Sequence, residues 1–189
     1  AAGRPPEPAL LPGGDRTRGA AAVPEPPGGQ RQRPQHRGEQ PERRPEALLL
    51  ALALFAASAV GLIVATRATF AAEIAGCQVE IGVAGAMAAA AVVEAAGGSA
   101  RQAADAASIS LQNTLGSPCD PVAGACEIPC HTRNAVAASS AFTCADLILG
   151  GYTNPIPLDE AIDVSYEVGK ALPAELRCTA RGGCATTPS

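Results

Sequence analysis

Three cysteines lie in phrases that suit metal chemistry: Gly76-Cys77-Gln78-Val79-Glu80-Ile81-Gly82, then Pro118-Cys119-Asp120-Pro121-Val122-Ala123-Gly124, running on to Glu127-Ile128-Pro129-Cys130. Cys77 stands forty-two positions before Cys119, and Cys119 and Cys130 bracket a proline-rich loop. Three thiolates can anchor a four-iron cluster and leave one iron without a protein ligand. Such an iron is free to act as a Lewis acid toward a bound molecule. Prolines beside the thiolates remove backbone donors and stiffen the loop that presents the sulfurs. On residues alone two other readings stay open. One is a zinc ion on Cys119, Cys126, Cys130 and His131, although adjacent Cys130 and His131 turn to one tetrahedral ion only with difficulty. The other is a set of buried structural thiols.

The elements that must position these thiols are helices. Val83 to Ala96 reads as a helix closed by Gly97-Gly98. Ser99 opens the next, with Gln102 three residues on as the second half of a capping box, and Gly116 ends it. Pro118 to Pro129 must be irregular, because three prolines and Gly124 interrupt any regular ladder. A helix from about Arg133 to Leu149 stops at Gly150-Gly151, and a last one runs from about Asp159 to Ala171, with Asp159 and Glu160 favourably placed against its dipole. Beyond Pro173 the chain reads as loop, and there is no internal repeat. The fold class expected is all-α: a helical bundle with a proline-rich cysteine loop.

Ala47 to Thr66 is a run of twenty uncharged residues. As a helix it would be about 30 Å long, enough to cross a bilayer or to form the central helix of a bundle. Before it, residues 1–45 mix Pro, Gly, Arg and Gln without apolar periodicity, so they read as a disordered or non-native leader. The leader carries a net charge of +3 and the remainder −7. An acidic folded part with no Trp offers neither the charge nor the stacking surface for nucleic acid. Seven cysteines in a chain without a secretory signal pattern argue against a disulfide scaffold and for a reducing, cytoplasmic setting.

Residues 46–188 resemble the C-terminal part of the alpha chain of iron-sulfur-dependent L-serine dehydratases. The resemblance rests on Gly76-Cys77-Gln78, Glu80-Ile81-Gly82-Val83-Ala84, Met87-Ala88-Ala89-Ala90, Cys119-Asp120-Pro121-Val122-Ala123-Gly124, Glu127-Ile128-Pro129-Cys130 and Arg133-Asn134-Ala135. It continues through Ile156-Pro157-Leu158-Asp159-Glu160, Tyr166-Glu167-Val168-Gly169-Lys170, Thr179-Ala180-Arg181-Gly182-Gly183 and Thr187-Pro188. It implies that residues 46–189 are part of a soluble helical domain in which the run at 47–66 is a core helix. It also implies that Cys77, Cys119 and Cys130 ligate a 4Fe-4S cluster. The implied reaction converts L-serine to pyruvate and ammonia without pyridoxal phosphate, and the implied partner is a beta subunit or domain.

L-threonine or L-cysteine would offer the same leaving-group chemistry. The general base is not assigned; His131 reads as a solvated loop residue and Lys170 as a helix-end residue. Arg133 and Asn134 either orient a carboxylate or cluster sulfide, or cap the helix that follows. Cys126, Cys144, Cys178 and Cys184 read as fillers or adventitious thiols, although Cys178 and Cys184 could approach the open iron. Val79 stands where the family has a smaller residue, which predicts crowding beside Cys77. The abrupt change of text near residues 44–47 reads as a truncation or frame shift. The readings in competition are a catalytically silent helical remnant and a small membrane protein spanning at 47–66.

Overall fold

The structure is a computed structural model that describes residues 45–188; the leader reading falls on residues outside that range, apart from Pro45. Six α-helices follow one another: α1 (Glu46–Arg67), α2 (Ala72–Ala75), α3 (Ile81–Ala95), α4 (Ala100–Gln112), α5 (Cys130–Leu149) and α6 (Leu158–Ala171). No strand occurs among the described residues, so the all-α expectation holds.

Composition explains why α3 becomes the centre. It is apolar all round and built from Ala, Gly and Val, so neighbours approach it from several sides. It packs against α1, α4 and α5, while α6 packs on α4 and α2. The core it organises joins Val83, Ala86, Ala89, Ala90 and Val93 to Leu111 of α4, Cys144 and Ile148 of α5, and Ile162 of α6. Small residues set the spacing: a side chain added at Gly85 would come within 3.0 Å of the Ser110 hydroxyl.

The ends of these helices follow local chemistry. The Ser99 hydroxyl accepts the Gln102 amide at 3.3 Å, and the Gln102 side chain accepts the Ser99 amide at 2.9 Å, completing the expected capping box. Helix α5 begins at Cys130 rather than near Arg133, because Pro129 fills the position before the first turn, where a missing N–H costs no helical bond.

Helix α1 is the element whose packing departs from the core-helix expectation. Val60, Gly61 and Val64 are buried, and Arg67 reaches α6 with a bond to Asp163 at 2.5 Å. Its other face stays bare: Leu50, Leu54, Phe55 and Leu62 are 59–73 % exposed. Helices α1 and Cys77–Ala95 are both long and apolar enough to cross a membrane, the latter mostly buried inside the bundle.

Candidate functional site

Cys77 follows Gly76, which takes a φ of 73° and carries the chain from α2 into a single 3-10 turn, Cys77–Val79. A side chain at Gly76 would meet the Ser117 carbonyl and Leu172, so the chain turns here only with glycine. Gln78 locks the turn from inside. Fully buried, it donates to the Ala75 carbonyl at 3.0 Å and accepts the Gly116 amide at 2.8 Å. Cys130 opens α5, and Cys119 enters from the proline-rich loop.

The three cysteines expected to act together do converge. Cys77, Cys119 and Cys130 are buried in one small patch with Ala72, Ile81 and Ala137, separate from the main core. The three thiols are close enough for Cys77 to be coupled electrostatically to both Cys119 and Cys130. Burial pushes the Cys77 thiol up from its ordinary 9.0 to about 11. Burial also raises Cys119, with Cys178 and Cys77 adding to the effect, and raises Cys130, with Cys126 adding. Left empty, the patch therefore holds neutral thiols; a metal centre would have to displace their protons.

Val79 is buried and is not one of the residues that make up this patch. Among the described residues, no three His, Cys, Asp or Glu side chains close on a single-ion position. The zinc set is not assembled either: Cys126 and His131 are exposed, while Cys119 is buried facing Cys77. Two open clefts flank the thiols. One, of about 290 Å³, is lined by Glu80, Cys126, Glu127, Cys130, His131 and Asn134. The other, of about 270 Å³, is lined by Cys77, Asn113, Thr114, Ser117, Thr132 and Arg133 among others. His131 thus sits on the first turn of α5 and not in a loop.

One polar residue that motif reading left without a role proves central. Asp120 is 1 % exposed, and its two oxygens accept from Arg133 Nη1 at 2.6 Å and from the Cys184 amide at 2.7 Å. Burial works against this charge, but the two donors outweigh it and hold the carboxyl below its ordinary range. Arg133 also donates to the Pro118 carbonyl at 2.9 Å, and its charge lies close enough to Cys77 for each group to shift the other. Arg133 is thus committed to Asp120 and the Pro118 carbonyl, and Asn134 donates to the Cys130 carbonyl inside α5; neither caps the helix. The only sequence signal for Asp120 was its place directly after a candidate ligand.

A family model described as serine dehydratase alpha chain matches residues 32–185. The chain belongs to the serine dehydratase alpha chain family. The match begins inside the stretch read from sequence as leader. The chain is 51 % identical over 136 residues to the probable L-serine dehydratase alpha chain of Bacillus subtilis (strain 168), covering 72 % of this chain and 45 % of that protein. It is 48 % identical over 136 residues to the probable L-serine dehydratase alpha chain of Latilactobacillus sakei, covering 72 % and 65 %. With L-serine dehydratase 2 of Escherichia coli (strain K12) the identity is 42 % over 144 residues, covering 76 % and 32 %. The chain thus spans less than two thirds of the length of these serine dehydratase relatives.

Proposed function

We propose that this chain is the cluster-bearing part of an L-serine dehydratase alpha chain, with Cys77, Cys119 and Cys130 as the protein ligands of a 4Fe-4S cluster. The observation that carries the reading is the burial of these three thiols together in one patch, between two open clefts, in a chain of this family. The donor set fits the group: three sulfurs from three separate segments, a loop stiffened by Pro118, Pro121 and Pro129, and a cation, Arg133, against Cys77.

When bound, such a cluster supplies a Lewis acid through the iron that lacks a protein ligand, and this activates the substrate hydroxyl as a leaving group. Net loss of water from L-serine gives aminoacrylate, which tautomerises to an imine and hydrolyses to pyruvate and ammonia. The chain's own contribution is to hold three sulfurs in fixed places, to set a positive guanidinium beside one of them, and to leave approach from the clefts. The Arg133 charge offsets part of the negative charge that accumulates when thiolates replace thiols.

The alpha chain naming of the relatives supports a beta chain as partner, and the seven unpaired cysteines support a reducing, cytoplasmic setting. A membrane span at 47–66 draws support from the bare outer face of α1. It is the weaker reading, because the inner face engages α3 and Arg67 is committed to Asp163. The test is pyruvate formation from L-serine by the anaerobically reconstituted chain mixed with a beta chain. Activity that requires both iron and the beta chain is the expected result. Equal pyruvate formation without iron would overturn the proposal.

A further inference from the structure

The segment after α6, which sequence patterning leaves as plain loop, is built onto the thiol site. Its two 3-10 turns, Ala174–Leu176 and Gly183–Thr186, bracket a stretch that pairs with the cysteine loop. The Cys119 amide donates to the Leu176 carbonyl at 2.8 Å, the Cys178 amide donates to the Cys119 carbonyl at 2.7 Å, and Cys119 and Arg177 form a parallel bridge. Residues 174–186 thus lie as a strap along a proposed ligand.

Asp120 fastens the strap. Its Oδ2 accepts the Cys184 amide, the same carboxylate raises the Cys184 thiol, and Gly183 takes a φ of 61° beside it. A side chain at Gly183 would meet the Asp120 carboxylate and approach its Cβ to 2.7 Å. The other oxygen, Oδ1, holds Arg133, whose charge acts on the nearby Cys77 thiol. One buried carboxylate therefore links two of the three proposed ligands to a strap that lies fifty-four or more positions beyond it in sequence. A charge buried this completely persists only when its partners are in place, so strap, Asp120 and Arg133 must dock together.

We propose, building on the cluster reading above, that Asp120 is a positioning residue whose two oxygens pin the strap 174–186 over Cys119 and hold Arg133 near Cys77. Retention of the cluster then depends on a segment that provides no ligand. Groups that orient metal ligands typically change metal affinity by about 10- to 100-fold when removed.

The experiment compares the anaerobically reconstituted chain with Asp120→Asn and Gly183→Ala. The second variant disturbs strap docking without touching the bundle core, should the first fold poorly. Iron loss to a chelator is followed by visible absorbance, and hydrogen exchange at the Cys178 and Cys184 amides is measured in the iron-free proteins. The expected result is iron loss about tenfold faster in both variants, with faster exchange at both amides and an unchanged exchange pattern in α3. Equal loss rates in all three iron-loaded proteins, or unprotected strap amides in the unmodified chain, would overturn this inference and leave the cluster reading standing. An unmodified chain that takes up no iron would overturn the cluster reading, and the retention claim with it.

Discussion

Gln78 Oε1 accepts the amide of Gly116 at 2.8 Å, joining the turn that carries Cys77 to the exit of α4 across thirty-eight positions. The same side chain donates to Ala75, so a single buried amide fixes where the first thiol enters the site. Replacing Gln78 with Leu keeps the volume but orphans the Gly116 amide, at a cost of about 1–3 kcal/mol. Urea unfolding of the iron-free chain should show that loss, and reconstituted Gln78→Leu should hold less iron than the unmodified chain. Unchanged stability would mean that water or another acceptor serves the Gly116 amide equally well.

Gly169 and Gly116 should respond differently to alanine. A methyl at Gly169 would meet the Ala75 carbonyl and come within 2.6 Å of Gln78 Nε2, whereas one at Gly116 meets nothing within 4 Å and pays only for its φ of 80°. Gly116→Ala is expected to cost about 1–2 kcal/mol, the left-handed penalty. Gly169→Ala should cost about 1–3 kcal/mol through overpacking and should also reduce iron loading, since the displaced groups lie beside Cys77. Thermal unfolding and iron content of the two variants separate these effects.

The raised thiol of Cys77 predicts how the iron-free chain responds to alkali. Its folded value of about 11 lies above the ordinary 9.0, so the folded state holds a proton that the unfolded chain releases. The stability from this group is complete below about pH 9 and is lost as pH rises through about 11. Cys119 and Cys130, also raised by burial, act in the same direction. Denaturation midpoints measured between pH 8 and pH 11 should fall in the iron-free chain and fall less in Cys77→Ser. A midpoint that rises with pH would contradict buried neutral thiols.

The capping box at Ser99 offers a test of the bundle independent of the site. Ser99→Ala removes the acceptor for the Gln102 amide and should cost about 1 kcal/mol. Iron content should be unaffected, because α4 contributes to the thiol patch only through the distant Gly116 turn.

What was legible in the sequence follows from how far each signal reaches. Ser99 with Gln102, and the glycines after α3 and α5, are local signals, and the structure reproduces the helix ends they predict. Cys77, Cys119 and Cys130 were legible as a group because their phrases are distinctive, and the fold buries them together. Asp120 and Gln78 were not, since a polar residue reveals its burial only through partners: Cys184 lies sixty-four positions from Asp120 and Gly116 thirty-eight from Gln78. The strap failed for the same reason. It has no periodicity of its own, and the backbone bonds that dock it are made to Cys119. In α1 the apolar pattern is unbroken, so no periodicity could say which face would be covered.

The most direct test of the ligand set is iron and sulfide content, with the visible spectrum, after anaerobic reconstitution of the chain and of Cys119→Ala and Cys144→Ala. Cys144 is an equally buried thiol, but it belongs to the main core beside Ser140. About four irons per chain, as a four-iron cluster requires, are expected in the unmodified chain and in Cys144→Ala, with loss of retained cluster in Cys119→Ala. Equal iron in both variants, or none in the unmodified chain, would contradict the assignment of Cys77, Cys119 and Cys130 as cluster ligands.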